Sequence, residues 1–484
     1  MLDLDQVKMD PAVAMAVGAN IAMRRLALPL CRVGGVLQVA MADCGDVQTI
    51  EAIERMTGWK VEAHAADVQS LRAALLKVYG ESSSRVRARL QEPQDDAVAE
   101  VDRLLRAAYM RHASDVHLDP VAGALKVRFR VDGELEDVAN LPEGLKSQVA
   151  SRLKVMASLD IAERRSPQDG AFKWRLQGAD TRMPPLDVRM ATLPVKYGER
   201  ITLRLLETDR SRLTLDALGF DAHDRSVFGD VLSSPYGLVL LTGPTGSGKT
   251  TTLYAAIREL LSMRPMNILT VEDPIEYEMQ GVSQAEVDSN DRVNFSKALR
   301  SLLRHDPDVI MIGEIRDTES MDTAVKAALT GHLVLSTLHT NDAVGAVTRL
   351  ADMGLKPHLA GAVLRLAAAQ RLVRSLCPHC REVCDPTREE AALLGLAPGE
   401  AVARPRGCLR CAGRGYSGRM GVFELFRPDA DVSRAISSSA GRETLMDMAR
   451  ARGFRTLADD AAQKCRAFLT SPAEAARIIG TVES

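Results

Sequence analysis

Gly243-Pro244-Thr245-Gly246-Ser247-Gly248-Lys249-Thr250 has the residue types and spacing to hold a chain of phosphates. Glycines let successive backbone N–H groups turn toward one anion, and a helix N-terminus behind them adds its positive dipole end. Lys249 would reach the β- and γ-phosphates of ATP, and the Thr250 hydroxyl would sit on Mg2+, with Thr251 completing the nucleotide-binding stretch. A glycine turn with a solvated lysine is the plainer alternative. The flanks argue against it, because the apolar run Gly237–Thr242 reads as a buried strand and Thr251–Ile257 as a helix.

Three polar clusters follow further strand-like runs. Ile268–Val271 leads into Glu272-Asp273-Pro274-Ile275-Glu276, Asp308–Ile312 into Gly313-Glu314-Ile315-Arg316-Asp317, and Leu333–Leu338 into His339-Thr340. Strands separated by helical segments suggest a parallel sheet, and ligands of such sheets gather at the carboxyl ends of the strands. There Glu314 could hold Mg2+, Glu276 or Glu272 could act as general base toward a water, and His339 could meet the γ-phosphate. Taken singly, each is as well explained as a strand end, a helix cap or a satisfied histidine.

Cys377-Pro378-His379-Cys380 and Cys408-Leu409-Arg410-Cys411 form a second constellation, with 27 residues between them. Two such turns offer four thiolates to a tetrahedral Zn2+ and leave no open coordination position, which makes the expected site structural. Cys384 or His379 could replace one ligand. Cys31, Cys44 and Cys465 read as core residues.

The elements that must position these groups exceed a single core. A chain of 484 residues carries a prior of about three domains. Residues 1–80 read as a small α/β module with helical patterns ending at Gly58 and Gly80, and 81–97 as a linker rich in arginine and acid. Residues 98–208 read as a second α/β domain, with a helix near Glu100–Arg111 and a hairpin at Asp132-Gly133. Residues 209–217 are expected to be a hinge, and 218–484 the nucleotide-binding domain with a cysteine module at about 375–423. In the second domain Arg128 and Arg130 share one strand face, and Arg189, Arg200 and Arg204 follow. An exposed face of paired charges accounts for them; so would arginines that reach a nucleotide held by a neighbouring subunit.

A net charge of −2 and 4% aromatic residues speak against nucleic acid as the main partner. The longest apolar stretch, Leu26–Met41, is interrupted by Arg32, two glycines and Gln38 and falls short of the ~20 residues a spanning helix needs. With an acidic start, Met1-Leu2-Asp3-Leu4-Asp5, the expected setting is cytoplasmic, with any membrane role peripheral.

The residues carry a family resemblance. Glu272–Glu276 resembles the aspartate box, Gly313–Asp317 the Walker B region, and Thr330-Gly331-His332 through His339-Thr340 the histidine box of the ATPases of type II secretion and type IV pilus assembly. Ser114-Asp115-Val116-His117 and Arg164–Gly170 extend the likeness upstream. It implies a RecA-like P-loop domain joined flexibly to a preceding α/β, PAS-like domain and assembled as a homo-hexamer against inner-membrane platform proteins. It further implies Glu276 as base, Glu314 at Mg2+, His339 at the γ-phosphate, and Arg128, Arg130 and Arg204 as the arginines that face nucleotide. The tetracysteine module is typical of secretion and pilus-extension motors and disfavours a retraction motor. The short N-terminal module, without a full Arg-Leu-Gly pattern of the kind tied to cyclic-di-GMP in some relatives, favours type II secretion over pilus extension.

Overall fold

The computed structural model describes residues 2–79, 97–175, 185–206, 214–287 and 295–482. The expected linker at 81–97 lies outside them save for its last residue, and most of the expected hinge, 209–213, does too. The chain divides into two compact units. One comprises Met1–Asp209 with Cys377–Glu382 and Pro405–Ser417; the other comprises Arg210–Leu376, Val383–Arg404 and Gly418–Ser484.

The first unit opens with a three-stranded sheet, β1 (Ala27–Val33), β2 (Val36–Met41) and β3 (Val61–Ala65) in that order. Both its faces are covered, which explains why β1 and β2 read as continuous apolar runs rather than alternating ones. Leu37, Val39 and Met41 pack with Val13, Val17 and Ile53, while Leu28, Leu30 and Ala40 pack with Ala22, Leu71 and Leu75. The helix Val47–Thr57 starts on the Asp46 side chain, which accepts from the Thr49 N–H, and ends on Gly58 in the left-handed region.

A six-stranded sheet follows, in the order β6-β5-β4-β9-β8-β7. Its strands are β4 (Ala113–Val121), β5 (Ala124–Val131), β6 (Glu134–Pro142), β7 (Gln168–Trp174), β8 (Leu186–Val195) and β9 (Gly198–Leu206). Alternation sorts the faces. Val116, Leu118, Val127, Phe129, Ile201 and Leu203 share a core with Leu104 and Leu105 of the helix Ala97–Met110 and Val149 and Leu153 of the helix Leu145–Met156. Asp115, His117 and Asp119 take the other face, opposite Arg130, Arg128 and Lys126 on β5. The β5–β6 hairpin turns at Asp132-Gly133 with both residues at positive φ, the turn that matches the twist of its strands.

The second unit is built on seven strands in the order β12-β11-β13-β14-β10-β15-β18. They are β10 (Gly237–Thr242), β11 (Ile268–Glu272), β12 (Val282–Glu286), β13 (Val309–Ile312), β14 (Leu333–Leu338), β15 (Leu364–Leu376) and β18 (Tyr416–Phe426), with short β16 (Arg381–Cys384) and β17 (Val402–Pro405) paired apart. From β12 to β15 every recorded pairing is parallel. β10 is buried along its whole length. Each leucine hidden there contributes about 2 kcal/mol, so the strand ahead of the glycine loop is held from both sides.

Chain order alone would put the cysteine turns inside the nucleotide-binding domain. In the structure they belong instead with the N-terminal residues, for a local reason. Leu409 packs against the core of Leu28, Leu30, Leu71 and Leu75, the Lys8 N–H donates to the Leu409 carbonyl at 3.0 Å, and Arg410 donates to Gln6 at 2.6 Å. Gly413 lies so close to the Arg32 carbonyl that a Cβ there would overlap it. Arg414 adds an ion pair to Asp132 at 3.2 Å.

Candidate active site

The glycine loop leaves β10 at Gly243 and enters the helix Lys249–Met263 through Gly248, with Pro244, Thr245, Gly246 and Ser247 between and Thr250 and Thr251 in the first helical turn. Only glycine fits at either end of the loop. Gly243 has φ 144°, and a Cβ there would stand 2.5 Å from the Gln370 carbonyl; at Gly248, with φ 89°, it would stand 2.8 Å from the Gln370 side chain.

Two features suit the loop to an anion. The Ser247 hydroxyl is buried without a hydrogen-bond partner among the described residues. Lys249, 8% exposed, folds its ammonium back onto the Gly243 and Pro244 carbonyls at 2.7 and 3.0 Å. Burial first, and then the Arg371 guanidinium, push its pKa down to about 8. A phosphate would supply the acceptor that the Ser247 hydroxyl lacks and the counter-charge that Lys249 lacks, so the residues fit a nucleotide.

The strand ends bring the other predicted groups into this half of the molecule. Glu314 follows β13, and β14 fixes its segment: Ser336 donates to the Ile312 carbonyl and Thr337 to the Gly313 carbonyl, both at 2.8 Å. Glu314 meets His339 at 3.2 Å and pairs with Arg316, which also reaches Asp273 at 3.1 Å. The His339 pKa is lowered by burial and by the positive charge of Lys249. Glu314, Ile315, Arg316, Leu338, His339 and Arg349 line a cavity of about 300 Å3. Thr242, the last residue of β10, exchanges hydrogen bonds with Thr340, joining the root of the glycine loop to the segment that carries His339.

Burial separates the two candidate bases. Glu272 is 2% exposed and accepts from Tyr254, from Thr270 at 2.7 Å and from Gln284 at 3.1 Å, so its oxygens are committed to the fold. Glu276 is half-buried, with its backbone N–H 3.4 Å from the Tyr254 hydroxyl. Gln370, Arg371, Thr252 and Tyr254 were missed by sequence reasoning. Their only signal was polar residues, Gln370-Arg371, placed in the apolar run of β15.

The predicted arginines lie in the first unit, on the charged face of the six-stranded sheet. Arg128 pairs with Asp119 at 2.7 Å and Arg204 with Asp115 at 3.1 Å, while Arg130 donates to the Gly133 carbonyl at 2.7 Å. Arg204 is the most open of the three, with 61% of its side chain exposed.

In the same unit Cys377, Cys380, Cys408 and Cys411 converge. Their sulfurs stand 3.9 Å apart for Cys377–Cys408, 3.7 Å for Cys380–Cys411 and 3.8 Å for Cys408–Cys411. A tetrahedron of sulfurs about 2.3 Å from a central ion has edges of about 3.8 Å, so the donor set fits Zn2+. His379 is turned toward Arg410, and Cys384 accepts from Arg404 at 3.2 Å.

Known proteins match this arrangement. The chain is 42% identical over 420 residues to a type II secretion system protein E of Aeromonas hydrophila, covering 81% of this chain and 83% of that one. It is 39% identical over 451 residues to the type IV pilus assembly ATPase PilB of Myxococcus xanthus, covering 88% and 79%. Among solved structures, the Legionella pneumophila ATPase DotB overlays with a TM-score of 0.60 at 22% identity, over 81% of this chain and 98% of that one, which speaks for the fold. An MshEN domain matches residues 1–85. The family described as Type II/IV secretion system protein matches residues 91–477, the span that holds the glycine loop, the strand-end carboxylates and the four cysteines, and the chain belongs to that family.

Proposed function

We propose that this chain is the ATPase of a protein-secretion machine, hydrolysing ATP to drive assembly of a pilus-like filament in type II secretion. The observation that carries this reading is a phosphate loop with a buried serine that has no partner among the described residues and a charge-starved lysine, on the same sheet as Glu314 and His339. Lys249 and the loop N–H groups would hold the phosphates. Glu276 would take the proton of the attacking water as its oxygen bonds to the γ-phosphorus and the bond to the bridging oxygen breaks; His339 would meet the γ-phosphate. Thr250 and Glu314 would hold Mg2+, which when bound neutralises phosphate charge.

Arg128, Arg130 and Arg204 would bring positive charge to a nucleotide held by another copy, in a homo-hexamer that works at the inner membrane through platform proteins. Cys377, Cys380, Cys408 and Cys411 would hold a structural zinc. Among the described residues no helix is long and apolar enough to cross a membrane, which accords with a peripheral association through partners.

Pilus extension is the second reading. It is favoured by the PilB relative, whose match takes in 88% of the chain. A nucleic-acid translocase is the less favoured third.

The test is hydrolysis by the full chain with Mg2+, alone, with DNA and with anionic vesicles, beside Glu276→Gln. The variant should bind ATP as the wild type does while turnover falls about a hundredfold or more. Turnover equal to wild type moves the base elsewhere, and strong stimulation by DNA alone would favour the translocase.

A further inference from the structure

Gln370 and Arg371 lie on β15 directly beyond its last register pair with β10, Ala369 opposite Thr242, and so run alongside the glycine loop. Both are buried, at 1% and 9% exposure. Gln370 supports the loop from below: its side-chain oxygen accepts from Thr252 at 2.9 Å, and its amide nitrogen faces Gly248. Arg371 does something different. One terminal nitrogen donates to the Gln370 carbonyl at 3.1 Å and lies beside Gly243, while the other donates to the Asn341 carbonyl at 2.8 Å. Asn341 stands two residues after His339. The guanidinium thus spans from the mouth of the phosphate loop to the segment that carries the γ-phosphate contact. The paired hydroxyls of Thr242 and Thr340, 2.5 Å apart, make a second tie between the same two segments.

A buried arginine needs a reason to be there. Glu424 and Asp342 supply its counter-charge, and Lys249 opposes it. A guanidinium this close to Lys249 costs energy in the absence of phosphate, and an anion between them turns the repulsion into shared attraction.

We propose that Arg371 is a positioning residue for hydrolysis, holding the loop that carries His339 against the mouth of the phosphate loop so that both engage the γ-phosphate together. This rests on the ATPase reading above. Arg371 reaches carbonyls of two separate segments with two different nitrogens held apart in one planar fork, a span that the single nitrogen of an ammonium does not reproduce, so lysine is not a conservative replacement here. ADP, which lacks the γ-phosphate, should be held almost as well without the arginine.

The experiment compares full-length wild type, Arg371→Lys and Arg371→Met, measuring kcat and KM for ATP, affinity for fluorescent ADP, and the melting temperature. Expected is a fall in kcat of about tenfold to a hundredfold in both variants, as misplacement of a reacting group by about 1 Å produces. ADP affinity should change by less than about threefold. Should either Arg371 variant fail to fold, Thr242→Val, which keeps the shape and removes the second tie, should show the same kcat-selective loss. Wild-type kcat in Arg371→Lys overturns the proposal, as do wild-type kcat in Thr242→Val or losses of turnover and ADP affinity that match one another and track the melting temperature. A wild type that hydrolyses no ATP overturns the ATPase reading instead.

Discussion

The glycine loop and the cysteine cluster are both short turns that offer donors to an ion, yet they are held in opposite ways. The loop's donors are backbone N–H groups, and its shape is fixed from outside by a fully buried strand and by Gln370. The cysteine turns are tied to their surroundings at the rim, through Leu409, Arg410 and Arg414. The buried cluster at their centre consists of Cys377, Cys380 and Cys411 with Cys408 against it, so what they enclose is chiefly one another. On the readings proposed above, one site is made before its ligand arrives and the other would be completed by it. A preformed anion site can release its ligand and remain folded, as a cycling motor requires, whereas a site whose ion supplies folding energy serves as a permanent part.

Removing one donor from each site puts that contrast to its hardest test. Lys249→Ala should abolish detectable ATP hydrolysis, a loss of about a thousandfold or more, while leaving the melting temperature unchanged or raised, because a buried charge with no partner of opposite sign has gone. A lowered melting temperature would mean that the lysine holds the loop together and that the loop is not preformed.

Cys408→Ser should act the other way round. Metal analysis should give about one zinc per chain in the wild type and a fraction of that in the variant, and hydrogen exchange should rise across 377–382 and 405–417. The strand-end carboxylates and the glycine loop should keep their protection. Freshly purified, reduced wild type without zinc would end the metal reading; full protection of the cysteine turns in the variant would end the contrast.

The smallest effect is a pH dependence. Unbound Lys249 has its pKa pushed down from 10.5 to about 8, and bound phosphate favours the charged form. Nucleotide affinity should therefore fall as pH rises through 8, by about fivefold between pH 8 and 9, with proton uptake on binding. For the free protein the sign is opposite. Between about 8 and 10.5 the unfolded chain carries the proton that the folded one has shed, so stability rises with pH over that window. Lys249→Arg, which does not titrate there, should flatten the affinity profile; an equally steep profile in that variant would assign the titration to another group.

What could be read from the sequence was whatever local chemistry dictates. The loop glycines, the Asp132-Gly133 turn and the Gly58 cap each follow from constraints within a few residues, and the structure has them. Residue types alone left Glu272 and Glu276 open and only the family resemblance pointed to Glu276; the burial that sets Glu272 apart depends on Tyr254 and Gln284, which reach it from other elements. Gln370 and Arg371 were hidden for a similar reason. They stand in an apolar strand whose place beside β10 is set by sheet order, and nothing within that strand names the loop it will support. Nor did the 27 residues between the cysteine pairs reveal that the second turn would settle against the first residues of the chain.

That last arrangement has a consequence for a chain still being made. Leu2, Leu4, Val7 and Met9 surround the core against which Leu409 packs, and they leave the ribosome some four hundred residues ahead of it. At about 5–20 residues per second, the interval is on the order of 20–80 s. For that time the contact that Leu409 makes with this core is missing. This core therefore offers more apolar surface to chaperones, and to other nascent copies, than it does once Leu409 is in place.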